Sequence, residues 1–358
     1  MSIGRDAAPA YSEELRSSNI ARTTSTYDVD RLGEFTLSYK KKIGRHHIDA
    51  LAGYTLQKKT YDRLGVEATG FADDRIHEVT GHGSNASDIS LYSTRKAAWA
   101  MMSFLTRVNY SFDDRYTLTG SFRADGSSRF GIDSRWGYFP SVSAGWTLSN
   151  EPFLKDALKD VASIRLRASW GKSGNNDIGN YASLAGISSG SYAFGQTPVS
   201  TTYEGSFTDA ALGWETTRQT NVGIDLGFFN GRLNVIGNWY NSISTDILYK
   251  YPISSISGAT STNMSGAKIR NRGFDVQLDA RLLTGKVNWN FSTNISVNRN
   301  KVVSMGGLDD IISTTERSVG SHITKEGYPI GSFYGYNAIG IMSKADYANA
   351  LLDREVYP

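Results

Sequence analysis

Residues 287–298 read Val-Asn-Trp-Asn-Phe-Ser-Thr-Asn-Ile-Ser-Val-Asn. Val287, Trp289, Phe291, Thr293, Ile295 and Val297 share one face, and Asn288, Asn290, Ser292, Asn294, Ser296 and Asn298 the other. A helical period of 3.6 residues would mix the two sets, and only a period of two separates them. The stretch is therefore a strand, longer than the five or six residues usual in a soluble sheet. One of its faces is apolar, and its other face is built for water.

The pattern repeats outward from there. Phe274, Val276, Leu278 and Ala280 alternate with Asp275, Gln277, Asp279 and Arg281, and a short link containing Gly285 joins this strand to the first as a hairpin. Upstream, Val222, Ile224, Leu226 and Phe228 turn at Asn230-Gly231 into Leu233, Val235, Gly237 and Trp239. Trp136 to Leu148 is joined by a longer link to Ile164, Leu166, Ala168 and Trp170. Ala98 to Tyr110 turns near Asp113 into Tyr116, Leu118, Gly120 and Phe122, and Phe35, Leu37 and Tyr39 turn near Gly44 into Ile48, Ala50, Ala52 and Tyr54. Pro140 cannot donate to a ladder, so a bulge or a late start of pairing is expected there.

Ten strands are expected with a further one in 331–342, and the links between them alternate. Tight turns join the strands within four of the five pairs, while the polar stretches 58–96, 125–135, 172–213, 250–267 and 299–330 read as long loops. Short turns at one end and long loops at the other describe an all-β, antiparallel transmembrane β-barrel wall. A secreted sandwich or solenoid, the other reading, predicts shorter strands whose apolar face is interior.

Composition agrees. The 358 residues include 36 Gly, 20 Tyr and 7 Trp but only 7 Pro, the balance of a chain made of strands and loops. Mean hydropathy is −0.36, as alternating strands average to hydrophilic. No apolar run is long enough for a membrane helix. A net charge of +3 with both signs scattered gives no nucleic-acid surface. Met1 to Ala10 carry no apolar signal core, so the export signal is expected upstream.

Six of the seven tryptophans, Trp136, Trp146, Trp170, Trp214, Trp239 and Trp289, have the parity of the apolar face and are expected to form a lipid-facing aromatic girdle; Trp99 is the exception. From Trp136 to Trp146 is about 25 Å of membrane height at roughly 3.3 Å per residue and a tilt near 40°. On the opposite parity Arg165, Arg167, Asp225, Asp275, Asp279 and Arg281 form a charged lumen wall, whether as part of a substrate path or simply as solvated interior. The loop tyrosines Tyr181, Tyr192, Tyr203 and Tyr334 are candidates for stacking on sugar rings or peptide side chains.

Other chemistry finds little footing. Gly171-Lys172-Ser173 is no phosphate loop, because the position requiring the first glycine is Leu166. Asp125-Gly126-Ser127 and Asn175-Asn176-Asp177 resemble calcium loops, but no bidentate Glu follows at the right spacing, and polar turn chemistry suffices. His77 and His82 share a loop without a third metal ligand. No catalytic constellation assembles, and no cofactor or metal site is expected.

Several stretches resemble the SusC/RagA family of TonB-linked outer-membrane receptors. They are 123–156 (RADGSSRFGIDSRWGYFPSVSAGWTLSNEPFLKD), 166–182 (LRASWGKSGNNDIGNYA), 212–240 (LGWETTRQTNVGIDLGFFNGRLNVIGNWY), 269–280 (IRNRGFDVQLDA) and 326–342 (EGYPIGSFYGYNAIGIM), with a weaker match at Ala52 to Gln57. The resemblance covers about residues 26–345. It implies a bacterial outer-membrane location and ten or eleven strands of a 22-stranded barrel. The implied activity is import of oligosaccharides or peptides together with a SusD-like surface lipoprotein, with energy delivered by TonB–ExbB–ExbD. The other functional reading is a passive porin-like or structural barrel without energy coupling. Residues 1–25 are expected to be a partial loop or strand end, and 26–358 a barrel segment whose plug domain and C-terminal strands lie outside the sequence.

Overall fold

A computed structural model of the chain describes residues 2–4, 20–69, 89–159, 161–184, 186–195, 197–206, 212–252, 261–307, 309–314 and 320–335. One antiparallel sheet dominates. Its strands, in spatial order, are β1 (Ser2–Gly4), β2 (Ile20–Ile43), β3 (His46–Thr69), β4 (Ile89–Phe112), β5 (Tyr116–Ser127), β6 (Trp136–Thr147), β7 (Ala162–Asn175), β10 (Glu215–Phe228), β11 (Leu233–Pro252), β12 (Ser261–Leu283) and β13 (Trp289–Ser304). Strands β8 (Gly186–Phe194) and β9 (Thr197–Ser206) form a separate hairpin inserted between β7 and β10. No helix among the described residues is long and apolar enough to cross a membrane.

The period-two reading sets the register. Phe274, Val276, Leu278 and Ala280 lie opposite Val297, Ile295, Thr293 and Phe291, so apolar residues meet across β12 and β13 on one face. The turns fall where the left-handed backbone is available: Gly44 (φ +56°), Asp113 and Asp114 (both +53°), and Asn230 and Gly231 (+54° and +76°). These turns share one end of the sheet with the β6–β7 link, which holds a short helix, α1 (Pro152–Leu158). The ladder between β6 and β7 begins only at Ser141, the residue after Pro140.

Three expectations need correction. Among the described residues, the stretches 58–96 and 250–267 are strand: β3 runs on to Thr69 and β4 starts at Ile89, β11 runs on to Pro252 and β12 starts at Ser261. Here both faces are polar, so alternation vanishes while the ladder persists, laced by ion pairs such as Lys59–Asp28 (3.4 Å) and Lys96–Asp62 (3.5 Å). The stretches 172–213 and 299–330 likewise contain strands, β8 and β9 in the first and β14 (Ile311–Thr314) and β15 (Gly320–Thr324) in the second, the latter two forming a small sheet with β16 (Ser332–Phe333). Ser332–Phe333 is therefore not an eleventh wall strand, and residues 336–342 lie outside the described residues; β1 supplies the eleventh instead.

The apolar face carries two rows of rings. Tyr54, Phe104 and Trp136 touch in sequence across β3, β4 and β6, with centroids 5.0 and 6.2 Å apart. Toward the turns His46, Phe112, Tyr116 and Trp146 form the second row, at 4.9, 6.4 and 6.4 Å. Amphipathic rings in two belts flanking aliphatic side chains suit the two interfaces of a bilayer.

Candidate functional site

The polar face is concave, because residues from β2, β3, β4, β5, β6, β7 and β10 line a single open hollow of ≈ 750 Å³. Lys40, His47, Thr117, Ser143, Arg165 and Arg167 are among them. A second hollow of ≈ 600 Å³ continues toward β12, between Arg167, Asn221, Asn238, Asn271 and Asp275. Arg167 stands where the two meet. Its guanidinium grips Asp225 with Nε and Nη2 donating to the two carboxylate oxygens (2.8 and 2.7 Å), and Nη2 also donates to Asn238 Oδ1 at 3.0 Å. The residue opposite Arg167 on β10 is Gly223. A Cβ there would stand 3.0 Å from Arg167 Nη2, so the glycine lets the side chain lie flat across β10 and reach β11. Asp275 accepts from Ser296, and Asp279 accepts from Ser292 (2.5 Å) and Gln277 (2.7 Å). Arg281 lies exposed at the turn end. The wall is thus a set of forked and hydroxyl-tethered charges presenting mixed polarity to water.

Of the six girdle tryptophans, Trp136, Trp146, Trp170, Trp239 and Trp289 are exposed on the apolar face. Trp214 is not: it is buried between Phe130 and Phe139, each ring centroid 5.3 Å away, and its Nε1 donates to Arg135 O at 2.9 Å. Parity misplaces it because the β10 ladder starts at Glu215, one residue later, so no pleat governs its direction. It fills the seam left open above Pro140, where β6 no longer pairs with β7.

Around that seam three connections are knotted together. Arg129 lies over the ring of Trp99 (5.1 Å), donates to Asn180 Oδ1 (3.0 Å) and to Asn176 O (2.9 Å), and stands 3.7 Å from Asp177. Asn176 donates to Ser127 Oγ (3.1 Å), and Ser134 to Leu212 O (2.6 Å). The knot also covers the edge of β4 beyond the end of β5, where Ala98 N donates to Tyr181 Oη (3.0 Å) and Ala100 N to Ser128 Oγ (2.8 Å). Uncovered edge amides would invite pairing with another chain. Sequence reading missed Arg129, and gave Asn176 only local turn chemistry, because their partners come from segments far apart in the chain.

The candidate tyrosines lie on separate elements. Tyr181 spends its hydroxyl on Ala98 while its ring stays half exposed; Tyr192 is on β8, Tyr203 on β9, and Tyr334 follows β16, all exposed. Asp125 is held by Arg123 (2.7 and 2.8 Å), and Asn175 Oδ1 accepts from Asp177 N (2.9 Å), which is turn chemistry. No group of three or more metal-binding side chains occurs among the described residues, and His77 and His82 lie outside them.

At the turn end, Glu151 is buried just ahead of α1 and accepts from Tyr116 Oη (2.5 Å), Trp146 Nε1 (2.8 Å) and Arg115 Nη1 (2.9 Å). Arg115 also pairs with Asp113 at 2.7 Å. The hydrogen bond from Tyr116, then that from Trp146, then Arg115 hold the Glu151 carboxyl below its ordinary value of 4.5. With the folded value depressed, the stabilisation is present above pH 4.5 and is lost as pH falls through the lowered value. Amide exchange in residues 148–158, taken relative to the intrinsic rate at each pH, should therefore be slow at neutral pH and faster at acid pH. In Glu151→Gln it should be fast at both, and a pH-independent wild type would remove the carboxylate from this role.

A model of the TonB dependent receptor-like, beta-barrel family matches residues 4–347. The TonB-dependent receptor P39 of Formosa agariphila is 31% identical over 334 residues, covering 92% of this chain and 30% of that protein. The TonB-dependent receptor SusC of Bacteroides thetaiotaomicron is 31% identical over 336 residues, covering 89% of this chain and 32% of its own length. A structure of the RagAB peptide transporter superposes with a TM-score of 0.78 at 29% identity, over 90% of this chain and 35% of that one. The chain spans about a third of the length of the curated relatives it matches.

Proposed function

We propose, from the premise that this chain belongs to the TonB dependent receptor-like β-barrel family of the bacterial outer membrane, that it forms wall and outer loops of an energised importer. The cargo in this reading is an oligosaccharide or a peptide. A SusD-like surface lipoprotein presents it at the loop end, and TonB–ExbB–ExbD supplies the work from the turn end. The observation that carries the reading is the concave polar wall around Arg167, Asp225 and Asn238, backed by a convex apolar face with two aromatic rows. A polar interior next to a lipid-facing exterior conducts polar solutes. Likeness to SusC and to a peptide transporter supports energised import over passive diffusion.

The test uses cells making the full-length receptor and its natural neighbours. Uptake of fluorescent oligosaccharides and of fluorescent peptides is followed with and without a protonophore. Uptake of one class should fall to the level of the gene deletion when the proton gradient collapses. Flux that ignores the protonophore would mean a passive pore.

A further inference from the structure

The apolar face bears a trough that the reading above does not use. Gly33, Leu56, Met102, Gly126 and Trp136 are direct partners in turn across β2, β3, β4, β5 and β6, forming one row at the loop-end edge of the apolar band. Nothing stands within 4 Å of where a Cβ on Gly33 would be, and Trp136 lies over Gly126, 3.0 Å from such an atom. A hollow of ≈ 650 Å³ runs along this row.

The row directly beyond it, away from the turns, begins with Arg31 opposite Lys58. Both line the same hollow, as does Arg135. Like charges facing each other across a ladder repel. Both side chains are exposed, and neither forms an ion pair with a carboxylate among the described residues. Elsewhere on these strands cations do find partners, as Lys59 does with Asp28 and Lys96 with Asp62. An apolar trough at the membrane boundary, with unpaired cations one row above, has the shape and charge of an acyl chain continued by a phosphate.

We infer that this face binds a phosphate-bearing lipid of the leaflet at the loop end, its chain along Gly33–Leu56–Met102 and its phosphate between Arg31 and Lys58. The occupant is a lipid rather than a free anion, because Leu56, Met102 and Trp136 offer an inorganic ion nothing to bind. The inference rests on the convex face meeting the bilayer, and on the proposed function only for which leaflet that is.

The full-length receptor in detergent, incubated with dioleoyl phosphatidic acid and observed by native mass spectrometry, provides the test. Wild type should retain the lipid through mild activation, and Arg31→Gln/Lys58→Gln should bind about thirtyfold more weakly, as the loss of two interfacial cations implies. Gly33→Trp, which fills the trough and keeps both charges, should also lose the lipid, while Lys42→Gln on the concave face should not. Inorganic phosphate should fail to displace it. Unchanged retention in both the double variant and Gly33→Trp, or displacement by inorganic phosphate, would overturn the assignment. The readout counts lipid and needs no transport, so a failed uptake assay leaves it standing.

Discussion

Val142→Arg destabilises the membrane-inserted barrel by about 2–4 kcal/mol, and Ser143→Arg, one residue along, by far less. Val142 is exposed on the apolar face, six residues from Trp136 and four from Trp146, and so lies deep in the band between the two aromatic rows. Its backbone is paired on both sides, to Gly120 and Trp170, so the side chain cannot turn inward without breaking two ladders. An arginine there must place its guanidinium in hydrocarbon or stretch to an interface. At position 143 the same side chain enters the hollow shared by Thr119 and Ser169, where water is available. Urea unfolding of the full-length receptor from lipid vesicles measures both. Equal costs would mean that the two faces are not lipid and lumen.

Trp214→Ala should cost about 3–5 kcal/mol, as large-to-small changes in packed cores do, whereas Trp239→Ala should cost much less. Trp239 is 48% exposed on the apolar face, but Trp214 is 9% exposed and wedged between Phe130 and Phe139. Its removal leaves a hole that the surroundings refill poorly. Two of the neighbours are glycines, Gly137 and Gly174, whose missing Cβ atoms would each stand 3.0 Å from the indole. Thermal unfolding of both variants checks the contrast. A loss no greater for Trp214 than for Trp239 would show the seam above Pro140 to be loosely filled.

Much of the wall is legible in the sequence because a membrane enforces it. Between the aromatic rows each strand must show hydrocarbon one face and water the other, so the hairpin of β12 and β13 can be read with its register and its turn at Gly285. Above the apolar band water bathes both faces, the constraint lapses, and β3, β4, β11 and β12 continue as strands in stretches that read as loops. Charged wall residues can be placed on a face by parity, but not paired. The grip of Arg167 on Asp225 and Asn238 depends on β7 meeting β10 across an inserted hairpin, a juxtaposition no local pattern encodes. Trp214 and the knot around Arg129 escape for the same reason: they belong to contacts between connections, where neither the period of two nor the bilayer dictates direction.

Strands β2, β3 and β4 have 24 residues each, and β5 and β6 have 12. Measured from their common turn end, the rim therefore drops by about 30 Å between β4 and β5, at roughly 3.3 Å per residue and a tilt near 40°. This part of the mouth is a parapet beside a sill. The sill is floored by the Arg129 knot, so among the described residues the wall is lowest there, at a threshold built of buried rings and of hydrogen bonds between connections.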